Sequence, residues 1–302
     1  PLYAKKQIAF VPFAGTPNLS RSHFETQDDI EHGLPDNDHS DRSGFLARLS
    51  GTLDGVAAPI AFTASLPLSF QGGSDVPNIS LARVGKAAFD ARQSAVLAGM
   101  YKDTALAQPV AEGLALRQQV AGEFADEMMK ASRGAVNAYG FTQQASRIAQ
   151  MMRDKSRLGF IDVGGWDTHV GEGGAQGALA NNLGNLSRGL AAFAQAMGED
   201  WKDTMVVVLS EFGRTFRENG NRGTDHGHGT VFWVLGGGVG GGRIVGEQQA
   251  LTAATLFQNR DYPVLNDYRA VLGGLFARLY GLNAAAVARV FPGTKGADLR
   301  LV

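Results

Sequence analysis

The chain has 302 residues, 44% hydrophobic and 19% charged, enough apolar material to bury one large core or two small ones. We expect a single domain over residues 1–302. A formal net charge of −1 gives no general attraction to nucleic acid or an anionic membrane, no apolar run approaches the ~20 residues that cross a bilayer, and the lack of cysteine excludes disulfides and thiolate metal sites.

Gln7 to Phe13 (QIAFVPF) reads as a first strand, followed by a turn-rich connection from Gly15 to Ser22. Ser22-His-Phe-Glu25 has the spacing of a capping box and Gly33 supplies a stop, which predicts a helix from His23 to His32. Residues 34–43, polar and acidic around Pro35, read as an exposed loop. From Ala87 to Arg153 apolar residues recur three and four apart, broken at Pro109, Gly134 and Gly140, which predicts a helical block of about three segments. Then come strand 158–163, a helix from Ala178 to Met197, strand 205–210, a loop, strand 230–235, a Gly-rich turn 236–242 and a helix from Asp267 to Tyr280. This alternation predicts an α/β fold with a mostly parallel sheet covered on both faces. The run Gly236 to Gly242 is not a dinucleotide fingerprint, because Arg243 to Gly246 continue as strand or turn where that motif needs a helix.

The chemistry-bearing residues gather in short Gly-flanked motifs. In Phe160-Ile-Asp-Val-Gly-Gly-Trp-Asp-Thr-His169, Asp167 and His169 are two apart and point to the same side of an extended chain, so both can reach one metal. The plainer alternative is a capping Asp167 beside an exposed His169. Trp166 faces away from them, as packing. Glu211 follows the apolar run Met205-Val-Val-Val-Leu209 at the carboxyl edge of the sheet, where a stranded carboxylate needs either a metal or Arg214. Arg214 either pairs with it or uses its fork to hold an oxyanion of a substrate. Gly223-Thr-Asp-His-Gly-His-Gly229 packs Asp225, His226 and His228 ahead of a strand, with the two histidines on one side and the acid on the other. That segment serves one metal, bridges two, or is a solvated polar loop. Imidazoles and carboxylates at strand ends suit hard-to-borderline divalent ions.

Ser22 is the candidate nucleophile, since a hydroxyl at a helix N-terminus sits in positive potential beside free N–H groups. Ser20 and Thr16 are its substitutes, and capping alone demands the same local geometry. His23 is a candidate acid for the leaving group, or an exposed helix histidine.

GGWDTH, SEFGR, ENG-x-x-GTDHG, the strand leading into LGGGVGGG, and DYRAV resemble the DUF1501 family of mostly exported bacterial proteins. That family looks like a branch of the alkaline phosphatase/sulfatase superfamily. Ser22-His-Phe-Glu with Gly33, and Ser43-Gly-Phe-Leu-Ala-Arg48, fit it as well. The resemblance implies an alkaline-phosphatase-like α/β/α sandwich with two divalent ions (Zn, Mn, Mg or Ca) at the carboxyl edge of the sheet. It also implies a Ser, Thr or modified Cys nucleophile acting on phosphate or sulfate esters.

Under the resemblance, Asp167 and His169 match the acid–His pair of one metal site, with its late histidine drawn from His226 and His228. Glu211 matches the second site's acid, and Asp225 with His226 alternatively matches the superfamily's adjacent Asp-His pair. The Asp that the superfamily places after its first strand, in a Gly-Gly-x-Asp-Gly motif in this family, is absent from the sequence given. The resemblance therefore implies a segment ahead of Pro1 carrying an export signal, a strand and that Asp. The function implied is a metal-dependent hydrolase or transferase of a small-molecule or polymer-borne oxyanion ester. The rival is a non-catalytic exported protein with a structural or decayed metal site.

Overall fold

A computed structural model describes residues 2–35, 42–73, 75–79 and 134–302, with isolated positions between 100 and 108. Strand β1 (Ile8–Gly15) is apolar on both faces, with Ala9, Val11 and Ala14 fully buried. Pro12 has no N–H to give a neighbouring strand, and the register of β1 slips between Val11 and Ala14, with Phe13 at φ 52. The chain then enters helix α1 (His23–His32), which ends at Gly33 in the left-handed region, φ 69, as its position in the sequence requires. Helix α2 (Phe45–Thr52) and strand β2 (Pro59–Phe62) follow, and neither was anticipated from sequence.

Beyond Gly134, at φ 76, come β3 (Val136–Asn137), α3 (Ala138–Lys155), β4 (Leu158–Ile161) and β5 (Val163–Gly164). The expected break at Gly140 does not occur. Asn137 caps α3 by accepting from the Gly140 N–H at 2.8 Å, so that glycine lies in the helix's first turn. The rest of the expected helical block at 87–153 lies outside the described residues, as does most of the loop at 34–43.

Helix α4 (Ala178–Met197) buries Leu186, Leu190, Phe193 and Met197, a stripe three and four residues apart, against Phe141, Ala145, Ile148 and Ala149 of α3. Each such aliphatic or aromatic side chain contributes roughly 1.5–3 kcal/mol on burial. Strands β6 (Met205–Val208), β7 (Thr230–Gly236), β8 (Arg243–Ile244) and β9 (Asn266–Asp267) precede α5 (Tyr268–Tyr280) and α6 (Ala284–Val290). The Gly-rich run thus turns from β7 into a short strand, as expected.

The fold is mixed α/β, and the expectation of a mostly parallel sheet is corrected. The main sheet has the order β6-β7-β1-β8, with β9 also on β1, and β7 runs antiparallel to both β1 and β6. Pairing is parallel between β1 and β8, β1 and β9, β2 and β4, and β3 and β5. The cause is local: between β6 and β7 lies a loop with no helix to carry the chain back over the sheet, so β7 returns reversed. Among the described residues, no helix is long and apolar enough to cross a membrane.

Candidate metal centre

The loop after β5, the two ends of the loop between β6 and β7, and the start of α1 build the site. After β5 the chain turns at Trp166, whose indole Nε1 donates to the Val163 carbonyl at 2.6 Å. Trp166 packs against the cluster around α3 and α4, so the side chain at 167 is free to point the other way. The loop after β6 and the loop before β7 are stitched together by their backbones: Gly213 N–H donates to His228 O, Gly227 N–H to Gly213 O, and Thr215 N–H to Asp225 O. Arg214 and His226 form an antiparallel bridge between them, and Thr224 N–H ties the pair to Thr168 O.

These contacts are made where side chains are absent. A Cβ on Gly213 would collide with the Gly229 carbonyl, one on Gly223 with the His169 carbonyl, and one on Gly227 with the Arg214 carbonyl. We therefore expect Gly213→Ala to lower stability by about 1–3 kcal/mol in urea titration, whereas Gly220→Ala, with nothing within 4 Å, stays within about 0.5 kcal/mol. Equal costs for both would mean that the close approach is not a constraint.

Asp167 is the hub. Its Oδ1 lies 2.8 Å from His169 Nε2, 3.0 Å from His226 Nε2 and 2.5 Å from Arg214 Nη1, and its Oδ2 lies 3.3 Å from His23 Nε2. His169 Nε2 and His226 Nε2 are 3.0 Å apart. The outward ring atoms each meet an oxygen: His23 Nδ1 faces Glu211 Oε1 at 2.7 Å, His169 Nδ1 faces Asp225 Oδ1 at 3.1 Å, and His226 Nδ1 faces the Arg21 carbonyl at 2.7 Å. Phe212 is a buried wall, its ring centroid 4.9 Å from that of His23 and 4.6 Å from that of His226. The ligand atoms of His23, Asp167 and His226 all lie within 4.8 Å of one another, a group that can hold a metal ion.

A family model described as a protein of unknown function (DUF1501) matches residues 12–291. The chain belongs to the DUF1501 family. No curated protein and no solved structure matches it.

Of the residues singled out in the sequence of this DUF1501 protein, Asp167, His169, Glu211, Arg214, Asp225 and His226 meet in one network, and His23 joins them. His228 goes elsewhere. Its ring packs on Phe257 with centroids 4.9 Å apart, and burial holds its pKa below the ordinary imidazole value, helped by the charge of Arg21. Ser22 is the N-cap of α1 without a side-chain cap bond, and its hydroxyl makes no hydrogen bond among the described residues. Glu25, its expected capping partner, accepts instead from the Ser20 hydroxyl, and the Thr16 hydroxyl donates to Asp29 Oδ2 at 2.7 Å. Ser22 alone of the three hydroxyls is uncommitted.

The electrostatics of this DUF1501 site follow from that geometry. Burial pushes the Asp167 carboxyl up, but hydrogen bonds from His169, His226, His23 and Arg214 outweigh it and hold the group far below the carboxylate range. Burial likewise pushes His23 down, and its bonds to Asp167 and Glu211 reverse this to raise its pKa to about 9. The hydrogen bond to Asp167 raises His169 against a smaller burial effect. Glu211 and Asp225 both sit below their ordinary values, because hydrogen bonds from His23 to the first and from Asn219 and His169 to the second overcome burial.

Sequence reasoning did not single out Asn219 or Thr224. Asn219 Nδ2 donates to His169 O and Asp225 Oδ1, while its Oδ1 accepts from Asn221 and Gly223 N–H. The Asn219-Gly220 turn signal was there to find it. Thr224 accepts from Arg214 Nε at 3.0 Å and gives its carbonyl to Arg214 Nη2.

Proposed function

We propose that this DUF1501 chain is a metal-dependent hydrolase or transferase of phosphate or sulfate esters, small or polymer-borne, with Ser22 as its nucleophile. One observation carries the reading: the metal-capable group begins at His23, the residue after a helix N-cap serine whose hydroxyl makes no hydrogen bond among the described residues. The donors suit a cation. Asp167, Glu211 and Asp225 gather three carboxylates around the histidines, with the guanidinium of Arg214 on Asp167, and His23 Nε2 is buried facing Asp167 Oδ2 at 3.3 Å. His23, Asp167 and His226 would hold a divalent ion, which when bound supplies a Lewis acid beside the reacting ester.

The chain's own part is positional. The first turn of α1 offers unpaired N–H groups and the positive end of its dipole to an oxyanion, and Ser22 stands at that end. In the proposed step the Ser22 oxygen forms a bond to phosphorus or sulfur as the bond to the ester oxygen breaks. The Ser22 proton passes to water, the departing oxygen takes a proton from water and leaves as an alcohol, and a further water then cleaves the seryl ester to free Ser22. Arg214 is engaged through all three nitrogens, with Asp167 and with Thr224, so its charge steadies Asp167 rather than gripping a substrate. That commitment favours the second reading, a non-catalytic protein in which the ion only ties loops together.

Ser22→Ala decides between the two. We expect turnover of p-nitrophenyl phosphate or sulfate by the metal-loaded chain to fall on the order of 10³-fold or more. Stability should move by less than about 0.5 kcal/mol, because no cap bond is lost. Full activity in the variant would remove Ser22 from the chemistry, and no turnover in the parent would leave the structural reading.

A further inference from the structure

We propose that the ion is bound by four groups, Nε2 of His23, His169 and His226 and the carboxylate of Asp167, and that Glu211, Asp225 and the Arg21 carbonyl orient the three imidazoles without touching the ion. The proposal rests on the metal reading above and is independent of ester hydrolysis.

The argument turns on which ring nitrogen carries the proton. An ionised carboxylate and a backbone carbonyl can only accept, so each Nδ1 that faces Glu211, Asp225 or the Arg21 carbonyl must be the donor. An imidazole that holds a metal is neutral and has one N–H; with that N–H directed outward in all three rings, each Nε2 lone pair is the one left for an ion. Those lone pairs point inward at one carboxylate, and two of them lie 3.0 Å apart. Electron-rich atoms at that separation repel unless a proton or a metal cation stands among them. Imidazole ligands of metals characteristically pass their other N–H to a carboxylate or a carbonyl, and here all three do.

Two consequences separate this from the sequence reading. Glu211 and Asp225, expected as ligands, lie on the far side of an imidazole from Asp167, each bonded to the ring atom that points away from it. The donor set is three nitrogens and one oxygen, which suits Zn²⁺ and its borderline neighbours such as Co²⁺ and disfavours Mg²⁺ and Ca²⁺, which demand oxygen.

The test measures zinc affinity of the full chain by competition with a chromophoric chelator, with circular dichroism to check each variant's fold. Glu211→Gln and Asp225→Asn keep an acceptor oxygen and should bind zinc within about tenfold of the parent, whereas Glu211→Ala and Asp225→Ala should weaken it about 10–100-fold. His169→Ala should weaken it more than either alanine variant. In the zinc-loaded parent, ¹⁵N NMR should find all three imidazoles protonated at Nδ1 and bound to the metal through Nε2. If Glu211→Gln loses zinc as fully as His169→Ala, Glu211 is a ligand and the assignment fails. If the metal-free rings are protonated at both nitrogens and zinc does not bind, the cluster is an imidazolium network, and the metal reading falls with it. Zinc binding with the expected variant pattern but no ester turnover would sustain this assignment and sink only the hydrolase.

Discussion

Asp167→Ala is expected to empty the centre and to destabilise the metal-free chain by about 3 kcal/mol, the lower end of what removing one partner of a buried charge pair costs. The side chain is 13% exposed and, among the described residues, is the one carboxylate that faces His23, His169, His226 and Arg214 together. Arg214 keeps its two bonds to Thr224, which is why the lower end applies. Asp167→Asn separates the two effects. The amide keeps the volume and an acceptor for Arg214, so most of the stability should return while zinc affinity does not. Urea titration and zinc competition on the same two variants read both numbers. Undiminished affinity in Asp167→Ala would mean that the residue is a structural anion and not a ligand.

Arg21→Ala should cost about 3–5 kcal/mol, as large an effect as any single change away from the centre. Asp261 has no exposed surface, its Oδ2 accepts from Arg21 Nε at 3.0 Å and Nη2 at 2.6 Å, and its Oδ1 is buried without a partner. Without Arg21 the remaining cation is Arg260, 3.6 Å away and itself partly exposed. The double variant Arg21→Met with Asp261→Leu should recover most of the loss, because neither charge is then left buried. Arg153→Ala is the control: its pair with Asp200 is exposed on both sides and should be worth less than about 1 kcal/mol. The carbonyl that Arg21 lends to His226 belongs to the main chain and survives in Arg21→Ala, so zinc affinity should change little in both Arg21→Ala and Arg153→Ala. A cost below about 1 kcal/mol for Arg21→Ala would show that Asp261 finds water or another partner when Arg21 is gone.

Local pattern carried much of the architecture. Capping and periodicity placed α1 at His23–His32 and α4 at Ala178–Met197, because each has its start, stripe and stop within its own residues. Strand direction was less accessible. The antiparallel pairing of β1 with β7 joins segments some two hundred residues apart, and nothing in either run encodes its partner. The helix-free stretch between β6 and β7 was the one hint of reversal.

The candidate site was legible in the same uneven way. Asp167, His169 and His226 are announced by their spacing and their glycines, and they do converge. His226 and His228 look alike in sequence, yet one enters the centre and the other packs on Phe257. His23 read as an acid for the leaving group beside the candidate nucleophile or as an exposed helix histidine, and not as a ligand, because its partners Asp167 and Glu211 lie more than a hundred positions away. The Arg21–Asp261 pair, 240 positions apart, leaves no trace in either neighbourhood.

Glycine in a loop is usually taken as a sign of looseness, and around this centre it produces the opposite. At Gly213, Gly223 and Gly227 two main chains lie against each other with no room for a methyl group, so neither strand of the loop can swing without lifting the other. The conformational entropy of bringing His169, Arg214 and His226 to their places is therefore spent when the chain folds. Under the proposed metal reading, an arriving ion would meet donors that are already stiff and aimed, so ordering the protein would take little from its affinity.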